Sequence, residues 1–244
     1  MKRRKTNRTV PVLLLISGVL VVIGLAVAIH ARLSLTSVGI EDVASVTDLR
    51  ALDVQIGYRS GQDGKAETLC THYRTEGQQY VDMVCEAPTA LVVVPLDDFH
   101  QYRGSFSQRV RVEQVIHSMD VVKPGDEITI FRSGGLVNRD GIVTYDGTDN
   151  VLLPEQGYLV FLETSELNAY TDEQSYSELG TTLDIIPLYR ERPPACTSMD
   201  YSAYAQYAVF CADASVVDAL YDLQDTVLEQ YSVDNVGQAI ISRG

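Results

Sequence analysis

The 244-residue sequence contains no tryptophan, only five phenylalanines and only four cysteines. It also lacks the short motifs of common active sites, because G-x-S-x-G, the phosphate-binding loop, H-E-x-x-H and C-x-x-C do not occur. The four histidines are far apart in the chain: His30, His72, His100 and His117. These absences exclude the standard motif-defined hydrolase, nucleotide-binding, zinc-protease and thioredoxin-type sites. The sequence therefore predicts no catalytic residue, no metal site and no cofactor.

Cations are scarce after the first eight residues. Five of them precede residue 10, and no anion does: Lys2, Arg3, Arg4, Lys5 and Arg8. The rest of the chain has 14 Lys and Arg against 33 Asp and Glu, a net charge of −19. A field of this sign repels nucleic acid and anionic lipid surfaces. Nucleic acid is therefore not an expected partner.

The longest hydrophobic run, Val10 to Ile29, contains 20 residues without a charge. A helix rises about 1.5 Å per residue, so about 20 apolar residues cross the hydrocarbon layer of a bilayer. The cations before the run favour a cytoplasmic amino terminus. We therefore expect a single-pass signal anchor in the lipid bilayer of the cell membrane, with most of the chain extracellular. The alternative is a cleaved signal peptide, since Ala26-Val27-Ala28 has the small-x-small cleavage pattern.

All four cysteines follow this run, and an even number of cysteines in an exported chain indicates disulfides. Cys70–Cys85 and Cys196–Cys211 are the favoured pairs, because each closes a short loop. The spacing does not match a zinc site. The segment from Ala66 to Glu86 is interpreted as a β-hairpin that turns at Gly77-Gln78, which would bring Cys70 and Cys85 opposite each other.

Alternating and continuous apolar patterns predict strands in the middle of the chain. The clearest ones lie at Ala90–Val94, Phe106–Val112, Glu127–Phe131 and Tyr158–Leu162. Near the carboxyl end, apolar residues from Val216 to Tyr231 recur at steps of three and four, which predicts a helix. The expected fold class is therefore α+β and mostly β. The predicted segments are a basic cytoplasmic tail, the anchor, a linker, a β-rich domain and a final part with a disulfide loop, helix and tail: 1–9, 10–30, 31–42, 43–190 and 191–244.

The middle of the chain also resembles a known kind of domain. Val110-x-Val112 is followed by Lys123-Pro124-Gly125-Asp126-Glu127-Ile128-x-Ile130, by Gly134-Gly135 and by Gly157-Tyr158-Leu159-Val160-Phe161-Leu162. This succession is similar to OB-like barrel domains of bacterial membrane-anchored surface proteins and to netrin-type, metalloproteinase-inhibitor modules. The resemblance covers Ser105 to Leu162 and implies an OB-like antiparallel barrel between the transmembrane helix and the carboxyl-terminal helix. The zinc-chelating amino-terminal cysteine of the inhibitors has no counterpart here.

Tyrosines supply the candidate binding residues, because the chain has no tryptophan. Tyr201, Tyr204 and Tyr207 recur at steps of three, which places them on one side of a helix. They are predicted either to pack inside the domain or to bind a partner. The expected function is that of a membrane-anchored, non-enzymatic module that binds a protein or another envelope component.

Two other functions remain open. The first is an extracytoplasmic hydrolase that uses carboxylates such as Asp97, Asp98 or Asp140. The second is a structural accessory subunit of a membrane complex. Irregular calcium binding is a further hypothesis, because oxygen ligands are dense between Asn138 and Asp149.

Overall fold

The computed structural model describes residues 43–102, 104–139, 142–154, 156–167 and 173–231. All of them belong to one compact unit. The described α-helices are α1 (Val46–Ala51), α2 (Ala66–Cys85) and α3 (Ala214–Tyr231), with a 3₁₀ turn at Tyr201–Ala203. The described strands are β1 (Gln55–Ile56), β2 (Thr89–Pro95), β3 (His100–Tyr102), β4 (Ser105–Ser118), β5 (Glu127–Ser133), β6 (Gly135–Arg139), β7 (Ile142–Asp146), β8 (Tyr158–Leu162), β9 (Glu166–Leu167), β10 (Gln174–Ser177) and β11 (Ile185–Pro187).

The larger sheet has the strand order β11-β8-β2-β4-β5-β10-β9, and β3 pairs with β4. The long strand β4 pairs with β5 through its first half and with β2 through its second half. The end of β8 lies beside the end of β10, where Leu162 and Glu178 form an antiparallel β-bridge. The strands β8, β2, β4, β5 and β10 therefore form a ring, which we call the strand ring.

The interior of the strand ring is apolar. Each of its strands contributes buried side chains at alternate positions, because successive residues of a strand face opposite sides. They include Leu91, Val93, Val110, Val112, Ile128, Ile130, Val160, Leu162 and Tyr176. The smaller sheet, in the order β1-β7-β6, packs through Tyr145, whose ring centroid lies 6.5 Å from that of Phe106 of β4.

The helices α2 and α3 cover one side of the strand ring. All residues of β2 and β8 are buried. Their second faces are buried because Val92 and Phe161 share a hydrophobic cluster with residues of α2 and α3. Burial on both faces explains the continuous apolar runs in these two strands. The predicted helix near the carboxyl end is confirmed as α3.

The helices α2 and α3 run parallel to each other. The Cys70 Sγ atom lies 3.3 Å from Ser215 Oγ near their starts, and the Cys85 thiol donates to Gln230 Oε1 at 2.8 Å near their ends. Gly77 permits a close approach between them, because a Cβ atom on Gly77 would lie 2.4 Å from Leu223 Cδ2. This contact fixes the register of the two helices.

The hairpin prediction for Ala66 to Glu86 is wrong, because this segment forms α2. Its buried residues are spaced at steps of three and four, which is the period of a helix: Cys70, Tyr73, Gly77, Val81 and Val84. The residues at Gly77-Gln78 do not turn. The missing side chain of Gly77 makes room for α3 instead.

The disulfide prediction is also corrected, since all four cysteines are free. Cys70 and Cys85 lie on one helix, where 15 positions correspond to a rise of about 22 Å, far beyond the reach of a disulfide. The Cys196 backbone N–H donates to the Cys211 carbonyl at 2.6 Å, but the Cys211 thiol donates to Asp213 O at 3.1 Å. Burial raises the pKa of both the Cys196 and the Cys211 thiols.

The expected fold class needs two further corrections. No helix among the described residues is long and apolar enough to cross a membrane, and the predicted span Val10 to Ile29 lies outside those residues. The sheet is not purely antiparallel, because β10 pairs with β5 and β1 pairs with β7 in parallel. The extracellular location stays a prediction.

Candidate functional site

The three predicted tyrosines do not share one exposed surface. Tyr201 is fully buried, and its hydroxyl donates to Asn150 Oδ1 at 2.8 Å. Tyr204 is also buried, and its hydroxyl oxygen accepts from the Thr197 backbone N–H at 2.9 Å. Tyr207 is partly buried. Partner binding through these residues stays a prediction, while two of them have clear packing roles.

The carboxylates of the hydrolase hypothesis bind different parts of the fold. Asp97 accepts from the backbone N–H and the hydroxyl of Thr47, at 3.0 and 2.8 Å. Asp98 accepts from the backbone N–H and Nε of Arg109, both at 2.9 Å. Asp140 lies outside the described residues. Asp97 and Asp98 therefore have structural partners and do not converge on a common point.

Metal binding was the other chemical hypothesis for this part of the chain. Within the part that the structure describes, no group of three or more His, Cys, Asp or Glu side chains is placed to hold a metal ion. Asn138, Asp146 and Asp149 of the predicted calcium segment are described. Asp149 accepts from the Thr148 hydroxyl at 3.1 Å, and Asp146 accepts from the Thr144 hydroxyl at 3.3 Å. Asp140 lies outside the described residues. The calcium hypothesis gains no support from the described residues.

A buried polar cluster lies at one end of the strand ring, around Arg132 of β5. Its guanidinium Nε donates to Glu178 Oε2 at 3.4 Å, and Nη1 donates to the Asn150 carbonyl at 2.6 Å. The guanidinium carbon also lies 5.4 Å from the ring centroid of Phe106. Glu178 Oε1 accepts from the Ser133 backbone N–H at 2.8 Å. These contacts satisfy the charge of Arg132, which is 5% exposed.

Asn150 connects this cluster to the segment before α3. Its amide nitrogen donates to the carbonyls of Ala205 and Tyr207, both at 2.9 Å. Its side-chain oxygen accepts from the Val151 backbone N–H at 2.8 Å, in addition to the Tyr201 hydroxyl. All the bonds that one buried amide needs are thus present, and they hold two loops together.

A small cavity of about 20 Å³ lies beside Arg132, with Asp149, Glu178 and Asp184 in its lining. This volume has room for about one water molecule. Burial raises the pKa of Asp149, and the charge of Arg132 opposes that effect. Burial also raises the pKa of Asp184 to about 6, although Thr181 and Gly180 donate hydrogen bonds to its carboxylate.

The cluster around Arg132 is therefore a structural joint between the strand ring and the loops. Its charged groups have ion-pair or hydrogen-bond partners in the protein, and the cavity between them is too small for a substrate. A catalytic site needs a place for a reacting molecule next to its acid or base. This arrangement does not provide one.

The strands β5 and β10, which lie away from α2 and α3, present a different outer surface. Thr129 and Phe131 of β5 face outward, and their register partners on β10 are Ser175 and Ser177. Tyr102 of β3 is 49% exposed, and its ring centroid lies 5.6 Å from that of Phe131. We call these five residues the open sheet face. Small hydroxyl side chains and one aromatic pair form its floor.

Two grooves lie along the open sheet face, and Leu167 of β9 borders both. The first has a volume of about 650 Å³ and is lined by Phe131, Glu163, Thr164, Glu166, Leu167, Ser175 and Ser177. The second has a volume of about 500 Å³ and is lined by Arg109, Asp126, Glu127, Ile128, Thr129, Leu167, Glu173 and Gln174. Both grooves are open to solvent along the sheet rather than enclosed.

The described lining of the two grooves is strongly acidic. It contains one guanidinium and five carboxylates: Asp126, Glu127, Glu163, Glu166 and Glu173. The guanidinium belongs to Arg109, which donates to Asp98 at 2.9 Å and to Glu127 at 3.2 Å. These partners raise the pKa of Arg109. The charge of Arg109 is thus already balanced, and the grooves present a negative surface.

Sequence reasoning found only part of this surface. The strand at Glu127–Phe131 was predicted and is confirmed as part of β5. The strand β10 was missed, although Gln174-Ser175-Tyr176-Ser177 alternates one buried aromatic residue with small polar ones. The parallel contact between β10 and β5 joins segments more than 40 residues apart, and local periodicity carries no signal for it.

The described residues form a domain that is mostly sheet with few helices: the strand ring is covered by α2 and α3 on one side and has an open face on the other. Comparison with known proteins does not narrow this class, because no protein-family model matches the chain and no curated protein matches it significantly.

Proposed function

We propose that this chain is a non-enzymatic protein-binding module and that the open sheet face is its binding surface. One observation carries the proposal. The outer surface of the strand ring is packed under α2 and α3 at β2 and β8, but at β5 and β10 it borders two grooves. Beside the first groove, the exposed ring of Tyr102 packs against the partly buried ring of Phe131, and aromatic residues are enriched at protein-binding surfaces.

The likeness to OB-like barrel domains belongs to the same proposal. Its support is the strand order, in which β4 connects β2 to β5, and β10 lies beside both β5 and the end of β8. An OB-fold is a five-stranded, partly open barrel that binds its ligands on an outer face. The likeness is one of topology, and the binding role depends on the residues of the open sheet face.

Site-specific photo-crosslinking in cells that naturally produce the protein tests this function. A photoreactive amino acid replaces Ser177 or Thr129 on the open sheet face, or Glu229 on the exposed side of α3 as the matched control. We expect a defined covalent adduct with another protein from positions 177 and 129 and none from position 229. Equal adducts from all three positions, or none from any, would contradict the proposal.

A further inference from the structure

We propose that the partner segment on the open sheet face is an extended, cationic peptide of another protein. This inference rests on the proposed function, because it specifies what the same surface binds. It adds the chemistry of the partner, which neither the fold nor a binding role by itself determines.

The charge of the grooves is the first reason. Glu166 and Glu163 border the first groove, and Glu173, Glu127 and Asp126 border the second. All five side chains are exposed. Among the described lining residues, Arg109 is paired with Asp98 and Glu127, so a lysine or arginine side chain would meet the other four carboxylates rather than Glu127. An anionic partner would meet repulsion at both grooves.

The shape of the floor is the second reason. Thr129, Ser175 and Ser177 have short side chains, so an extended backbone can lie close to the sheet. The grooves together follow the chain from Asp126 into β5 as far as Phe131, which corresponds to about 15 to 20 Å or about five residues of extended peptide.

The apolar groups are the third reason. Leu167 is 64% exposed and borders both grooves, so it can contact the aliphatic part of a lysine or arginine side chain. The ring pair of Tyr102 and Phe131 offers an aromatic face to a guanidinium or ammonium group. In an extended peptide in which every second residue is cationic, all the cationic side chains point to one face, so they can make both kinds of contact together.

The test measures binding of a labelled ten-residue peptide in which lysine and valine alternate, by fluorescence anisotropy with the full chain. A matched peptide with glutamate in place of lysine is the first control. We expect the lysine peptide to bind and the glutamate peptide not to bind. Affinity should fall when the salt concentration rises from about 0.05 to about 0.5 M, because the contacts are exposed and ionic.

The double variant Glu166→Gln with Glu173→Gln removes one carboxylate from each groove. We expect it to weaken binding of the lysine peptide by about three- to tenfold, as typical exposed ion pairs would. The matched control is Glu67→Gln with Glu229→Gln, which removes two exposed carboxylates from α2 and α3. It should change the affinity by less than about twofold.

Several results would overturn the inference. The inference is wrong if both double variants weaken binding equally, or if the glutamate peptide binds. It is also wrong if the lysine peptide does not bind, or if a neutral oligosaccharide displaces it. The proposed function has its own readout. Crosslinks from positions 177 and 129 to a partner segment without basic residues would leave the function standing and overturn the cationic partner. Absence of such crosslinks would overturn the function itself.

Discussion

The two sides of the strand ring have the same backbone pattern and opposite surroundings. At β2 and β8 the outward side chains are apolar, among them Val92 and Phe161, and α2 and α3 pack over them. At β5 and β10 the outward side chains are mainly small and hydroxylated, such as Thr129 and Ser175, and grooves border them. We call these the covered side and the open side.

The difference shows how side-chain chemistry determines which side of a ring needs a cover. Exposing apolar side chains to water is unfavourable, and burying them stabilises the folded state by roughly 25 cal/mol per Å² of apolar surface. Hydroxyl side chains remain hydrated without such a penalty. The open side can therefore stay accessible for binding, while the covered side supplies stability. Four predictions test this division.

The largest effect is expected from truncating matched phenylalanines. Phe161→Ala on the covered side should lower the free energy of unfolding by about 3 to 5 kcal/mol, because Phe161 is fully buried and its ring centroid lies 5.4 Å from that of Tyr231. Phe131→Ala on the open side should cost less than about 1.5 kcal/mol, since Phe131 is only partly buried. Urea unfolding measures both, and equal losses would contradict the division.

Arg132 tests the joint between the strand ring and the loops. Arg132→Gln should cost about 3 kcal/mol, because it removes the ion-pair partner of Glu178 from a buried position. The double variant with Glu178→Gln should recover part of this loss. Arg109→Gln is the matched change on the open side, where Arg109 is 48% exposed, and should cost no more than about 1 kcal/mol. Chemical denaturation of the four proteins gives the comparison, and a cost for Arg109→Gln as large as that for Arg132→Gln would be evidence against it.

Asp184 gives the covered side a pH dependence, because its carboxyl group is buried beside β8. Its backbone carbonyl accepts from the Phe161 backbone N–H of that strand at 2.7 Å. Burial raises its pKa from 3.8 to about 6. A raised carboxyl pKa stabilises the fold fully below pH 4, and this contribution is lost as the pH rises through 6. The loss amounts to about 2 to 3 kcal/mol at pH 7.

Asp184→Asn removes this contribution. The difference in unfolding free energy between the wild type and the variant should therefore be larger at pH 4 than at pH 7. The exposed Glu229→Gln variant should show no comparable change. Urea unfolding at several pH values between 4 and 7 measures the effect, and a difference that stays constant with pH would show that Asp184 does not titrate as expected.

The smallest effect is expected at the contact between α2 and α3. Gly77→Ala gains about 1 kcal/mol of helix propensity but places a Cβ atom against Leu223, which costs about 1 to 3 kcal/mol. We expect a net loss of about 1 kcal/mol in thermal or urea unfolding. In a Leu223→Ala background, where the contacting Cδ2 atom is absent, Gly77→Ala should leave the free energy of unfolding unchanged or raise it. If Gly77→Ala already stabilises the wild type, the close approach of the helices has no energetic importance.

Local patterns predicted several elements correctly. The alternation at Phe106–Val112, the apolar run at Ala90–Val94 and the spacing from Val216 to Tyr231 correspond to β4, β2 and α3. These signals are reliable because a buried face repeats every two residues in a strand and at steps of three and four in a helix. The same rule failed at Ala66–Glu86, where Gly77-Gln78 was interpreted as a turn.

The candidate site was less predictable than the fold. Tyr201 and Tyr204 were selected for their spacing, but the fold buries both. The open sheet face combines Tyr102, Phe131 and Ser177, which come from three strands whose neighbours are fixed by pairing. No short stretch of sequence contains this combination. Predicting the open sheet face from the sequence would have required knowing which strands are neighbours in the sheet.

By itself, the sequence determined the acidic character of the chain, the positions of its main strands and its carboxyl-terminal helix, because composition and periodicity are local properties. Only the tertiary structure decided that Ala66–Cys85 is a helix, that the four cysteines are free, and which side of the strand ring is open. Those outcomes depend on contacts such as that of Gly77 with Leu223, between residues almost 150 positions apart. Such contacts are chosen by packing, which local patterns do not encode.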